Sequence, residues 1–406
     1  MTKPKMFEKP SGVRDYLPDA VTKLRTIERQ ALECMSRWGY SQIVTPTMEF
    51  YETVGAASST SDHKLFKLLN QRGTTMVLRS DMTAPIARVV SSLLQQEPFP
   101  IRLSYHANVF RSMEEEAGRD AEFYQTGAEL VGDGSPEADA EVIALSIACL
   151  KAAGVERFKV AVGHHQFLEG LYEHLLPGQV EEQRRLQDRL VHRDVVGYRE
   201  LVQGLSLEPE LTERLLDILR LRGGVSTFAK AKNLADEPLV QSSIDHLEKV
   251  WEVLQAYGVS EHLILDLTMV GDFSYYTGLI FEGYSDDLGF PVMSGGRYDN
   301  LLQQFGRPAP ATGFALKTSR LLDVVQEAKD QDDHYPILVQ YDTIRREEAF
   351  AEALRLRAEG DIVITRCVDD EADLDAVTRD DHQKLWWSGK RLKDVLTFVR
   401  FIKEHI

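Results

Sequence analysis

The residues able to do chemistry in this chain are scattered, and none forms a short self-contained motif. His164 and His165 stand together after Gly163. Neighbouring residues of a strand face opposite ways, and no cysteine or carboxylate follows at ligand spacing, so a packed or loop pair is expected and no metal. Neither GxxxxGK followed by Ser or Thr nor GxGxxG occurs, which removes both glycine-rich phosphate cradles. Asp369–Asp370–Glu371 pairs acids, but no Thr/Gly-rich phosphate-holding run follows, which leaves a solvated turn. Trp386–Trp387 beside Lys390–Arg391 offers rings and cations that can stack on bases; in a small terminal unit, packing or a protein interface is the better reading. Cys34, Cys149 and Cys367 lie far apart with no CxxC, which argues against a disulfide framework or structural zinc and suits the cytosol.

The charge balance narrows the partners. The chain has 47 basic and 64 acidic residues among 406, a formal net charge of −17. A protein that grips nucleic acid usually presents a Lys/Arg surface, because neutralised phosphates supply much of the affinity. The expectation is a protein or small-molecule partner and no nucleic acid. No apolar stretch approaches the ~18 residues of a membrane helix, and Met1–Pro10 has no apolar signal core, so a cytoplasmic protein without membrane association is expected.

The elements that must position any site read as α+β. Apolar residues recur at helical spacing from Asp19 to Trp38, and Tyr40–Thr45 reads as a strand stopped by Pro46. Leu65–Leu69 and Thr75–Leu78 read as a strand pair, Met82–Leu94 as a helix, and Ile101–Phe110 with Phe123–Val131 as two strands joined by a polar run. Between Met113 and Glu122 that run holds five acidic residues and one basic, Arg119. Pro136–Ala153 is helical, and Phe158–Val162, Leu263–Leu267 and Leu279–Tyr284 are strands. The charged stretch at about 175–255 reads as a helical insertion. A core over 1–325 and a small α/β unit over 335–406 follow, separated at Lys329–His334, with Leu392–Ile406 predicted as an amphipathic helix. The expected sheet is mixed and mainly antiparallel with flanking helices, without the βαβ alternation of a dinucleotide fold.

Several separated segments together resemble the histidyl-tRNA synthetases. Lys9–Pro18 with Trp38–Pro46 is similar to the opening and first class II motif, Val109–Gly132 to the second, and Gly313–Leu321 to the third. Met269–Glu282 and Ser294–Leu301 resemble the two segments peculiar to the histidine enzymes. The resemblance implies a class II aminoacyl-tRNA-synthetase-like core, and it implies that Tyr335–Ile406 is a shortened anticodon-binding-like unit.

The departures then matter. Activating an amino acid concentrates negative charge at the reacting phosphate, so cations must be in place beforehand. Where the family has an arginine ahead of its Tyr-Tyr pair this chain has Gly271; where it has Glu-Arg-Pro-Gln it has Met113–Glu116. Lys317 replaces a glycine near the adenine, and Ser319 replaces the acid before Arg320. One lost charge donor costs on the order of 10²–10³ in rate. The amino-acid pocket matches better: by the resemblance, Asp81, Thr83, Arg111, Gln125, Glu129, Tyr275, Tyr276 and Tyr298 are candidates for binding histidine. Carboxylate, amide and phenol groups suit a zwitterion bearing an imidazole.

This combination resembles the regulatory subunits of ATP phosphoribosyltransferase. The resemblance implies a non-catalytic protein without a cofactor, dimeric through its class II core. It implies a hetero-oligomer with the short catalytic subunit in histidine biosynthesis, and feedback regulation by histidine. An active, divergent histidyl-tRNA synthetase and a free-standing histidine-sensing module are the alternatives.

Overall fold

The computed structural model describes residues 8–55, 57–58, 60–112, 120–270, 276–325, 335–369 and 371–400. In chain order, α1 (Pro18–Arg37) is followed by β1 (Ser41–Gln42), β2 (Met48–Phe50), β3 (Lys67–Leu69), β4 (Thr75–Leu78), α2 (Thr83–Ser92), β5 (Ile101–Phe110) and β6 (Glu122–Val131). Next come α3 (Pro136–Ala152), β7 (Phe158–His164), α4 (His165–Leu175) and a helical stretch of α5 (Val180–Val191), α6 (Val195–Gly204) and α7 (Pro209–Asp217). That stretch continues through β8 (Arg222–Gly223), α8 (Ser226–Lys232) and α9 (Pro238–Ala256). The chain then returns to β9 (Leu263–Asp266), β10 (Leu279–Ser285), β11 (Pro291–Arg297), β12 (Ala311–Lys317) and α10 (Thr318–Val324). The chain divides into two compact units, Met1–Gln326 and Glu327–Ile406.

A nine-stranded sheet in the order β1-β5-β6-β12-β11-β10-β7-β9-β8 organises the first unit. It is antiparallel from β5 through β7, and parallel where β1 meets β5 and where β7 meets β9. The helix α1 starts with Pro18 in its first turn, carries Asp19 there and Arg37 in its last turn, and buries Leu24, Ile27, Ala31 and Met35 along one stripe. The helix α3 is apolar nearly all round and buried along most of its length. Its start is fixed by Ser135, whose hydroxyl accepts from the Ala138 N–H, with Pro136 alongside. Asp139 sits at full burial in this helix.

The second unit holds β13 (Ile337–Tyr341), α11 (Arg346–Ala358), β14 (Val363–Cys367), β15 (Val377–Arg379), β16 (Leu385–Trp387), β17 (Lys390–Leu392) and β18 (Asp394–Phe398). The expected C-terminal helix from Leu392 is corrected: Asp394–Phe398 is a strand, parallel to β13 with Ile337 opposite Asp394 and Tyr341 opposite Phe398. Leu396 and Phe398, two apart, pack with Val339 and Ala353, so period-two pairing on β13 outweighs the helical spacing. Trp387 lies under the Arg366 guanidinium at 5.6 Å, and the Trp386 indole N–H donates to Asp380. The Tyr40–Thr45 strand is also shorter than expected: only Ser41–Gln42 pairs, and Val44 is exposed.

Candidate functional site

The middle strands of the large sheet form the floor of a cleft. Glu129 of β6 lies opposite Gly313 of β12, which lies opposite Gly296 of β11. These glycines are required by close approach. A Cβ on Gly313 would stand 1.7 Å from Glu129 Oε2, and one on Gly296 would stand 2.7 Å from the Tyr276 ring. The strands thus omit side chains so that Glu129 and Tyr276 can lie across them.

Seven of the eight candidates line this one cleft: Asp81, Thr83, Arg111, Gln125, Glu129, Tyr276 and Tyr298. Tyr275 lies outside the described residues, as do Gly271, Met113–Arg119, Lys329–His334, Asp370 and the end of the chain from residue 401. Sequence reasoning missed Tyr105, Ser294, Gly296 and Gly313 as lining residues, although the glycine density of Ser294–Arg297 was a usable signal. The cleft encloses about 370 Å³, counting its open mouth.

Each candidate is held by its neighbours. Asp81 caps α2, with Oδ1 accepting from the Ala84 N–H at 3.0 Å and Oδ2 from the Ser58 hydroxyl at 2.6 Å. Thr83, in the first turn of α2, donates to Glu129 Oε1 at 2.9 Å, and the Tyr298 hydroxyl donates to Oε2 at 2.5 Å. Arg111 leaves β5, donates from Nε to the Ser80 carbonyl at 2.9 Å and lies over the Phe123 ring at 5.4 Å. Gln125 is buried on β6.

Burial pushes the Glu129 carboxyl up to about 8, with a smaller push from Asp81, against the hydrogen bonds from Tyr298 and Thr83. At neutral pH the cleft therefore holds a largely protonated acid beside Asp81. Such an acid becomes a carboxylate when a cation is brought against it.

Arg297, beside Tyr298, does not face the cleft. Its Nε and Nη2 meet Asp139 at 3.0 and 2.9 Å, and Nη1 meets Asp299 at 3.1 Å. His246 of α9 closes the same group, with Nε2 2.8 Å from Asp139. His164 ends β7 and His165 opens α4, so the adjacent histidines part at a strand–helix boundary. The third-motif residues are tied into the scaffold. Ser319 accepts from the Tyr124 N–H and from the Tyr16 hydroxyl. Arg320 donates to the Pro291 carbonyl at 2.8 Å and lies over Phe290 at 5.6 Å. Among the described residues there is no group of three His, Cys, Asp or Glu able to hold a metal, and no helix long and apolar enough to cross a membrane.

The histidyl-tRNA synthetase family model matches residues 12–321. An ATP phosphoribosyltransferase regulatory subunit of Bacillus licheniformis is 44% identical over 96% of this chain and 99% of its own length. The corresponding protein of Bacillus subtilis is 42% identical over 96% of this chain and 99% of its own length. The chain belongs to the ATP phosphoribosyltransferase regulatory subunit family. A crystal structure from Bacillus halodurans C, described as an ATP phosphoribosyltransferase regulatory subunit/histidyl-tRNA synthetase, superposes with a TM-score of 0.88 at 41% identity, covering 98% of this chain and 100% of that one. The histidyl-tRNA synthetase of Nostoc, at 20% identity, has a TM-score of 0.77 over 92% of this chain and 88% of its own. That likeness shows the class II fold. Members of the regulatory subunit family are named for a regulatory role, with the catalytic activity in a partner subunit.

Proposed function

We propose that this chain binds histidine in the β6–β11–β12 cleft and transmits its occupancy to a short-form ATP phosphoribosyltransferase catalytic subunit. It does so as a non-catalytic, cytoplasmic partner in the first step of histidine biosynthesis. The observation that carries this reading is the convergence of seven candidate residues on one cleft, while Ser319 and Arg320 are committed to scaffold contacts. The net charge of −17 supports a protein partner and no nucleic acid. Histidine regulates only by binding two arrangements of the complex unequally.

The test is reconstitution with the catalytic subunit. Adding this chain is expected to raise phosphoribosyl transfer, and histidine to suppress it. Gln125→Ala is expected to raise the half-inhibitory histidine concentration by about tenfold, as for one lost buried hydrogen bond. Inhibition unchanged in both Gln125→Ala and Asp81→Ala would place the sensor elsewhere. Robust histidine-dependent ATP–pyrophosphate exchange by this chain alone would instead favour an active synthetase.

We further propose that the core is a two-fold dimer. In the three-stranded sheet β2-β4-β3, Glu49 and Val77 face inward, while Met48, Phe50, Phe66, Leu68, Met76 and Leu78 share the outer face. Met48 and Phe50 are 56% and 51% exposed, and a continuous apolar sheet face supports burial against a second copy. Sedimentation of a Phe50→Glu/Leu68→Glu variant is expected to show monomers where the parent shows dimers. A dimer that persists in this variant would assign the contact to another surface.

A further inference from the structure

Two tyrosines of the cleft sit where the strands have run out. Tyr276 precedes β10, which begins at Leu279, and Tyr298 follows the last residue of β11. The β10–β11 register starts at Ile280 with Gly296, and the β11–β12 register ends at Arg297 with Thr312, so both rings stand beyond the regular ladder. Asp299 ties these two ends together. Its N–H donates to the Thr277 hydroxyl at 2.9 Å. Its Oδ1 accepts from the Ala311 N–H at 3.2 Å and from Arg297 Nη1 at 3.1 Å. The Thr277 N–H donates to the Arg297 carbonyl at 2.9 Å, and the Tyr298 N–H to the Ala311 carbonyl at 2.8 Å. We propose that Asp299, with Thr277 as its partner, is a positioning residue of the cleft, which fixes the backbone carrying Tyr276 and Tyr298 and so sets the affinity for histidine. The inference rests on the reading of the cleft as a histidine site.

Neither Asp299 nor Thr277 lines the cleft, so both act through their neighbours. The Tyr298 hydroxyl donates to Glu129 Oε2 at 2.5 Å, and the Tyr276 ring lies across Gly296. Hydrogen bonds weaken steeply as their angles open, so a tyrosine whose backbone anchor shifts loses its hold on the carboxyl. Binding geometry is only as exact as the contacts that support it. The two segments also run close together: a Cβ on Gly278 would stand 3.1 Å from Arg297 Cδ. The fold has a second hold on this region. The Asp299 side chain is 41% exposed, and Arg297 keeps its bonds to Asp139 when Asp299 is replaced.

The experiment is calorimetric titration of the full chain with histidine. Asp299→Ala is expected to weaken binding about tenfold. In a Tyr298→Phe background the same change is expected to cost about threefold or less, because a group it positions is already gone. Thr277→Val keeps the shape of the side chain but removes the oxygen that accepts from Asp299, and is expected to lose a similar factor to Asp299→Ala. Thr277→Ser keeps that oxygen and is expected to bind as the parent does. Parent-like affinity in both Asp299→Ala and Thr277→Val overturns the proposal. So does an Asp299→Ala loss of the same factor with and without the Tyr298 hydroxyl, which is the mark of a general structural role. A parent chain that binds no histidine overturns the reading of the cleft, and this inference with it.

Discussion

Asp139→Ala is expected to lower the stability of the core by ~3–5 kcal/mol, the usual cost of removing one partner of a buried ion pair. The thermal midpoint is expected to fall by about 10 °C, as read by circular dichroism. Asp139 is fully buried in an otherwise apolar helix, and Arg297, at 4% exposure, donates to it from two nitrogens. Burial alone would raise this carboxyl, but the His246 hydrogen bond and the Arg297 charge outweigh it and hold it below the usual carboxylate range. Alanine would leave the guanidinium with Asp299 and the carbonyls of Asp133 and Ser135. A double Asp139→Leu/Arg297→Met variant is expected to recover much of the loss, because it removes both desolvated charges. A double variant as unstable as the sum of its singles would show that the pair is not coupled. The same cluster makes the core acid-sensitive. Burial, then the nearby His246 ring, pushes His164 down to about 3. Unfolded chains take up a proton near pH 6.5 that folded His164 refuses, so stability falls as pH drops from 6.5 toward 3. The limiting slope is about 1.4 kcal/mol per pH unit for one group. His164→Phe is expected to flatten that slope in urea unfolding between pH 6.5 and 4.

The contrast between what the sequence makes readable and what it hides follows local versus distant causes. The strand β5 is legible because its apolar residues Ile101, Leu103, Tyr105, Ala107 and Val109 alternate, and α1 is legible from its stripe Leu24–Ile27–Ala31–Met35. The strands β11 and β12 are poorly legible as strands because their glycines serve Glu129 and Tyr276 rather than strand propensity. The C-terminal strand β18 hides behind a helical spacing because only its partner β13 decides its period. The cleft residues were nameable through the motifs, but the capping of α2 by Asp81 was not, since it depends on the Ser58 and Ala84 positions. The Asp139–Arg297 meeting depends on packing between elements far apart in the chain, which no local spacing encodes.

Histidine binding is expected to release a proton at pH 7, and Glu129→Gln is expected to weaken that binding by ~10- to 100-fold, as when a charge-assisted hydrogen bond worth ~1.5–3 kcal/mol is lost. In the empty cleft burial holds the Glu129 carboxyl up at about 8, so it is mostly neutral at pH 7. A ligand ammonium placed against it favours the carboxylate, and the displaced proton passes to buffer. Calorimetric heats at pH 7 should therefore differ between phosphate and Tris by the buffers' ionisation enthalpies, with up to one proton released. At pH 9 Glu129 is already largely ionised, so its proton release should vanish and any remaining difference should have the opposite sign, from proton uptake by the ligand amine. The same raised value has a cost for the empty protein: unfolded Glu129 ionises near 4.5 while the folded group keeps its proton to about 8, so its contribution to stability is lost as pH rises through that window. Glu129→Gln should remove this slope along with the proton release, because the amide keeps the shape of the side chain without the titration. Gly313→Ala tests the same group by geometry. Its Cβ would stand 1.7 Å from Glu129 Oε2, so the carboxyl must swing away, and histidine affinity should fall although no polar group is deleted. Buffer-independent heats together with unchanged affinity in Glu129→Gln would remove this carboxyl from the binding site.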